Sequence, residues 1–425
     1  MIEVSGIIDC AVQNLAVTQE KDAPLVCMIG ESYGGGIQML ASVEDPRIDA
    51  LIPITTWYNL DQALFPNGVA KSDWMTFLGA VGYARSPFHM DNNAVAGGFK
   101  EIFGDGAPED LHKRLRNNSL SDHCNRGEGP HADALLIQGM RDVLFPLNHA
   151  LKARQCFIDQ GHDARLLAIE HGHLMPGSQW SPGLPVWYVQ PEVTCGGKTY
   201  KTADIINDWL NGKLRGDKAA LDRVPEYCVT GDTGVDQSPP VLTWEALPKV
   251  HMGSGASGWL EFIAEPLSEL GHVFSSDKLP ADWQTPSNGT VRPARVPLYV
   301  AHEPTWIVGT PQVDLNFSDS NRPNATVFLR LAVWRPGSGS YRVLNQEVTP
   351  VRASGPHRVE LAAVRAQLQP GDILGLLVQG HSNQFRLAGS GFFTQTSIEG
   401  TIGLPLAIDA RQTVSANPVT EGNVH

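Results

Sequence analysis

Ser32 lies in Gly30-Glu31-Ser32-Tyr33-Gly34, between the apolar run Leu25 to Ile29 and a segment that opens with small residues, Gly34-Gly35-Gly36, before Ile37-Gln38-Met39-Leu40. A serine hydroxyl is a weak nucleophile until a base takes its proton. Gly-x-Ser-x-Gly between a strand and a helix is the pattern of a sharp turn that lifts Oγ clear of a sheet, where a histidine can reach it. Gly30 and Gly34 fit such a turn as places where a side chain would collide with the neighbouring strand and helix. The Tyr33 backbone N–H, at the start of the helix, is aimed where a tetrahedral oxyanion would form. A serine used this way needs an acid and then a histidine later in the chain, each after a strand. Asp142 ends Gly139-Met140-Arg141-Asp142 and His173 ends Glu170-His171-Gly172-His173. These are the expected acid and general base, with His171 as the reserve base. Taken singly, each has a plainer reading. Asp142 could cap the helix that follows it, a histidine at a strand end is commonly a surface residue, and a chain with 42 glycines among 425 residues can carry the pentapeptide as an ordinary turn. The order Ser32, Asp142, His173 is what gives them joint weight.

The elements that must position these groups are legible from apolar runs. Leu25 to Ile29, Ile48 to Ile54, Ala134 to Gly139 and Ala164 to Ile169 read as buried parallel strands. Helical spacing covers Pro146 to Ile158 and resumes at Asp204 to Leu210. Ahead of the first strand there is room for one helix, with Ile8, Val12 and Leu15 on one face. Residues 60–130 break the strand-helix rhythm and read as a helical cap insertion that includes a charged helix from Glu109 to Leu115. Trp57, Trp74 and Phe77 are candidate walls of an acyl pocket, although aromatic residues at such spacing also serve as plain core. Residues 174–198 read as a long loop rich in Pro, Gly and Ser. From about residue 229 short alternating segments are separated by Gly, Pro, Asn and Ser. Trp259 to Ile263, Thr326 to Trp334, Arg358 to Leu361 and Ile373 to Val378 are the clearest, and they suggest a jelly-roll sandwich. The expected division is therefore an α/β catalytic domain over 1–228 and an all-β domain over 229–425, with a polar tail after Arg411.

These features together resemble the alpha/beta-hydrolases of the X-prolyl dipeptidyl-peptidase and cocaine-esterase group, peptidase family S15. The resemblance is carried by Gly-Glu-Ser-Tyr-Gly-Gly-Gly-Ile-Gln at 30–38, by Asp45-Pro46-Arg47-Ile48-Asp49-Ala50 with Trp57 after it, and by Gly139-Met140-Arg141-Asp142. Asp208-Trp209-Leu210-Asn211-Gly212-Lys213-Leu214-Arg215-Gly216 and the β-rich C-terminal half extend it over nearly the whole chain. It implies an acyl-hydrolase with Ser32, Asp142 and His173 as its triad, acting on esters, amides or short peptides. One departure stands out. In that fold the serine turn follows the fifth strand, whereas only 24 residues precede Leu25 here. The expectation is thus an N-terminally truncated alpha/beta-hydrolase sheet whose first strand forms an open apolar edge. The resemblance also implies that a tyrosine hydroxyl from the absent region completes the oxyanion hole. Losing one such donor typically costs about a hundred- to a thousandfold in turnover.

Composition narrows the rest. With 32 basic against 45 acidic side chains, the net charge of −13 argues against nucleic acid or an anionic membrane as partner. No apolar run reaches the ~18 residues of a membrane span. The six cysteines form no Cys-x-x-Cys and no zinc-type cluster, so neither a metal nor another cofactor is expected; Cys27 reads as a packed thiol. The chain does not start with a signal peptide, and cytoplasm is the default location, with export left open by the expected truncation. A homo-oligomer could cover the open edge. The competing functions are an impaired remnant of a hydrolase and a binding module built on the jelly roll.

Overall fold

The computed structural model describes residues 2–20, 23–85, 95–98, 100, 108–170, 172–173, 190–195, 197–230, 243–253, 294–322, 324–335, 341–345, 348–380, 382, 384–385 and 395–407. His171, the Trp259 to Ile263 segment, most of the 174–198 loop and the tail after Arg411 lie outside the described residues. The chain divides into two compact units, one of Met1–Leu64, Ala107–Leu174 and Val186–Ser238, the other of Phe65–Gly106, Met175–Pro185 and Pro239–His425.

The first unit is built on five parallel strands: β1 (Val26–Glu31), β2 (Ile48–Ile54), β3 (Asp133–Gly139), β4 (Ala164–Ile169) and β5 (Tyr227–Val229), hydrogen-bonded in that order. Parallel strands need crossover connections, and helices supply them. α1 (Ile2–Asn14) precedes the sheet, and the crossing helices are in chain order α2 (Tyr33–Glu44), α3 (Glu109–Asn117), α4 (Leu120–Asn125), α5 (Leu147–Asp159) and α6 (Thr202–Arg215). The inner strands β2, β3 and β4 are almost wholly buried, as their uninterrupted apolar runs require. β1 is an edge strand among the described residues and is only half-buried, with Ile29 58% exposed. The reading of Leu25 to Ile29 as fully buried is therefore corrected, and the open-edge reading describes it better. One core cluster joins Ile52, Ile54, Leu135, Ile137, Leu167 and Ile169 from the strands to Trp209 of α6. Lys213, one turn on, lies over the Trp209 ring and bridges Asp133 and Asp163 at 2.8 and 2.7 Å.

Two disulfides fasten this unit, Cys124 of α4 to Cys156 of α5 and Cys195 to Cys228 of β5. Cys195 ends a hairpin strand, Glu192–Cys195, that pairs with Lys198–Lys201.

The second unit holds the antiparallel half of the architecture. One sheet runs Thr243–Gly253, Gln395–Leu404, Gln312–Ser318, Gly355–Glu360, and another runs Ala294–Val300, Ile373–Gln379, Thr326–Trp334, Tyr341–Val343. A smaller third is centred on Thr305–Gly309. Val313, Leu315 and Phe317 alternate inward from one sheet and meet Leu329, Leu331, Leu374 and Leu376 of the other in a single core. Phe328 leaves the opposite face of its strand and packs with Val69, Val348 and Phe385, so Val69 belongs to this unit's core. The expected strands at Thr326 to Trp334 and Ile373 to Val378 are present, the second reaching Gln379. An α/β parallel sheet with a helical insertion, followed by antiparallel sheets, is the architecture the sequence indicates.

Cys10 and Cys27 are the free cysteines of the described residues. Burial, helped by the nearby Asp49 carboxylate, pushes the Cys27 thiol up to about 11. At pH 8 only about one Cys27 in a thousand is then thiolate, and the thiolate is the reactive form. Iodoacetamide at that pH should alkylate exposed Cys10 and spare Cys27 in the folded protein, as read by peptide mass spectrometry; equal modification of both would contradict the placement of Cys27.

Candidate active site

Ser32 follows the last residue of β1 and opens α2 with φ 54° and ψ −113°, a left-handed backbone that a non-glycine residue seldom adopts. Three contacts hold it there. Its N–H donates to the Ile54 carbonyl at 2.9 Å, its carbonyl accepts from Gly36 N–H at 3.1 Å, and the Thr56 hydroxyl donates to the same carbonyl at 2.8 Å. A Cβ at Gly30 would come within 2.8 Å of the Gly34 carbonyl group, as the sequence suggests. Gly34 itself faces open space. The further crowding falls on Gly35, against Thr56, and Gly36, against the Trp57 indole.

Parallel register places the ends of β1, β3 and β4 together. Glu31 pairs with Ile54, Ile54 with Ile137, and Gly139 with Ile169. Asp142 and His173 follow β3 and β4 by a few residues, so their side chains gather beside Ser32. His173 Nε2 lies 2.9 Å from Ser32 Oγ, and His173 Nδ1 lies 2.7 Å from Asp142 Oδ2. An ionised carboxylate only accepts, so Nδ1 carries the proton and Nε2 is left to accept the serine proton. Asp142 is fully buried, and His173 is 2% exposed.

Asp142 is held from several sides. The Leu144 and Phe145 N–H groups donate to Oδ1 at 3.1 and 2.7 Å. The backbone closes behind it, with Val143 N–H donating to the His173 carbonyl at 3.0 Å. Gly172, at φ 148°, has no room for a Cβ against the Asp142 side chain. Gln138 ties the ensemble to the sheet: its amide N–H donates to the Phe145 carbonyl at 2.6 Å, and its Oε1 accepts from Thr56 N–H at 3.1 Å. Gln138 escaped notice in the sequence, although a lone amide after four apolar residues of a buried strand was the available signal. The Phe145 ring stands edge-on to the His173 imidazole at 5.1 Å between centroids.

Trp57 is 5% exposed, with its ring 6.1 Å from that of Tyr33 and 5.4 Å from that of Phe145, and its Nε1–H donates to the Asn118 carbonyl. Tyr33 is 70% exposed. Its N–H, as the first of α2, is among those that a helix leaves without an intrahelical acceptor. Trp74 and Phe77 belong to the second unit, where Trp74 is buried and meets the Phe77 ring edge-on. Glu31, missed in the sequence reading, carries a side-chain oxygen that is sealed from solvent and accepts no hydrogen bond.

Residues 12–177 match the family model for X-Pro dipeptidyl-peptidase (S15 family). That stretch of the chain is similar to the S15 family. That segment spans Ser32, Asp142 and His173, and the likeness seen in the sequence is thereby upheld. Solved structures agree in fold. A CocE/NonD family hydrolase from Staphylococcus aureus superposes with a TM-score of 0.60 at 10% identity, covering 94% of this chain and 75% of its own. An aminopeptidase from a marine sediment Thaumarchaeota archaeon gives 0.54 at 13% identity, with 94% and 79% covered. An alpha-amino acid ester hydrolase gives 0.50 at 15% identity over the same shares. No curated protein matches the chain.

Gln138→Leu would strand the Phe145 carbonyl and the Thr56 N–H in the interior. Urea denaturation should register a loss of about 1–3 kcal/mol; unchanged stability would mean that Gln138 does not bind the Asp142 turn to β2.

Proposed function

We propose that this protein is a serine acyl-hydrolase that cleaves an ester or amide through an acyl-enzyme on Ser32. The reading rests on one observation, the two-bond chain from Ser32 Oγ through His173 to buried Asp142. Oγ attacks the carbonyl carbon while its proton passes to His173 Nε2. The oxyanion that forms is met by the Tyr33 N–H and the dipole of α2. Collapse expels the alcohol or amine, which takes the proton from His173. Water then repeats the sequence on the acyl-serine, with His173 again as base, and the carboxylic acid leaves. Asp142 holds the Nδ1–H tautomer and balances the imidazolium. Trp57 supports the Tyr33 side of the site from beneath. In the second unit, the two sheets sharing one core are read as a jelly-roll scaffold.

A fluorophosphonate probe reacts only with an activated serine. Folded protein should be labelled, Ser32→Ala should abolish the label, and Asp142→Asn should slow it by about 10³- to 10⁴-fold. Folded wild-type protein that resists the probe would overturn the proposal in favour of a scaffold without turnover. Release of p-nitrophenol from a short-chain p-nitrophenyl ester, lost in the same variants, extends the test to turnover.

A further inference from the structure

Glu31 ends β1 and immediately precedes Ser32. One of its carboxyl oxygens, Oε1, is out of contact with solvent and accepts no hydrogen bond, and none of the described residues gives Glu31 an ion pair. A buried polar atom left without a partner is uncommon and calls for a reason. Ser32, the next residue, has its Oγ 2.9 Å from His173 Nε2, and the His173 and Asp142 charges act on the Glu31 carboxyl. The contrast with Asp142 is informative. Backbone N–H groups and the His173 ring already take up the Asp142 oxygens. Glu31 Oε1 has no such donor.

Resting on the serine-hydrolase reading, we propose that Glu31 is a positioning residue whose carboxylate stabilises the imidazolium that His173 becomes on taking the Ser32 proton. In the resting site the carboxylate is in an unfavourable setting: burial above all, with the Asp142 charge adding to it, raises the Glu31 pKa, and only a positive charge on His173 opposes the rise. When the proton moves to Nε2, the ring becomes the compensating charge. An interaction that grows between ground state and transition state accelerates the step. The cost falls on stability. A carboxyl whose pKa is higher folded than unfolded makes the native state bind more protons, so its ionisation destabilises the fold as pH rises past the unfolded value.

The experiment measures the fluorophosphonate labelling rate of the full chain between about pH 5 and pH 9 for wild type, Glu31→Gln and Glu31→Asp, with the thermal midpoint of each. Glu31→Gln keeps the shape and removes the charge. It should label about tenfold more slowly on the pH plateau, and its acid limb should carry one ionisation fewer than that of wild type. It should melt no lower than wild type, and Glu31→Asp should recover part of the rate. An unchanged rate and profile in Glu31→Gln would overturn the assignment. So would an equal loss in both variants with the wild-type profile retained, because that is the mark of packing alone. If Glu31→Gln fails to fold, Glu31→Asp at wild-type rate with one ionisation missing from its acid limb also overturns it. Absence of labelling in folded wild type is a different result, since it removes the serine-hydrolase reading itself along with this assignment.

Discussion

The backbone conformation of Ser32 is the constraint on which the first unit depends. A non-glycine residue at φ 54° costs on the order of 1–3 kcal/mol. Here that cost is offset by contacts supplied by its neighbours: the Ile54 carbonyl accepts its N–H, and the Thr56 hydroxyl and Gly36 N–H hold its carbonyl. Both Ile54 and Thr56 come from β2 and its end, so the strained residue is braced by the adjacent strand as well as by its own helix. Gly30, Gly35 and Gly36 let the helix approach that closely.

The other half of the arrangement is a turn built around one carboxylate. Asp142 accepts from two backbone N–H groups and from the imidazole, so it orients the ring while organising its own loop. The plainer reading of Asp142 as a local structural residue and the chemical reading of it as a triad member therefore describe the same atoms. Gln138 extends the network into the sheet by touching both the Phe145 carbonyl and the Thr56 N–H, which links the acid's loop to the segment bracing Ser32. Disturbance at any of these points should be felt at the others.

Much of this was legible because its signals are local. Four strands of the sheet announce themselves as apolar runs, and the serine turn as a glycine pattern between a strand and a helix. Asp142 and His173 were found by order alone, since each residue type is ordinary at a strand end. What escaped reading depends on the third dimension. The burial of β1 could not be separated from that of β2 by composition, because an edge strand and a central strand can carry the same residues; neighbours decide between them. Gly34 looked crowded and proved open, since the sense of the helix, which spacing does not give, directs the crowding to Gly35 and Gly36. The pairings Cys124 with Cys156 and Cys195 with Cys228 were equally invisible, because two cysteines some thirty residues apart carry no sign of meeting.

Those cross-links bear on how firmly the first unit is held together. Cys195 lies beyond His173 in the chain and fastens its hairpin to the last strand of the sheet. The hairpin that Cys195 ends is thus held covalently to β5. Each cross-link closes a loop of more than thirty residues, which removes about 3–4 kcal/mol of chain freedom from the unfolded ensemble. In a reducing medium that entropy returns to the unfolded chain, and the stability of the first unit becomes sensitive to the redox poise of its surroundings.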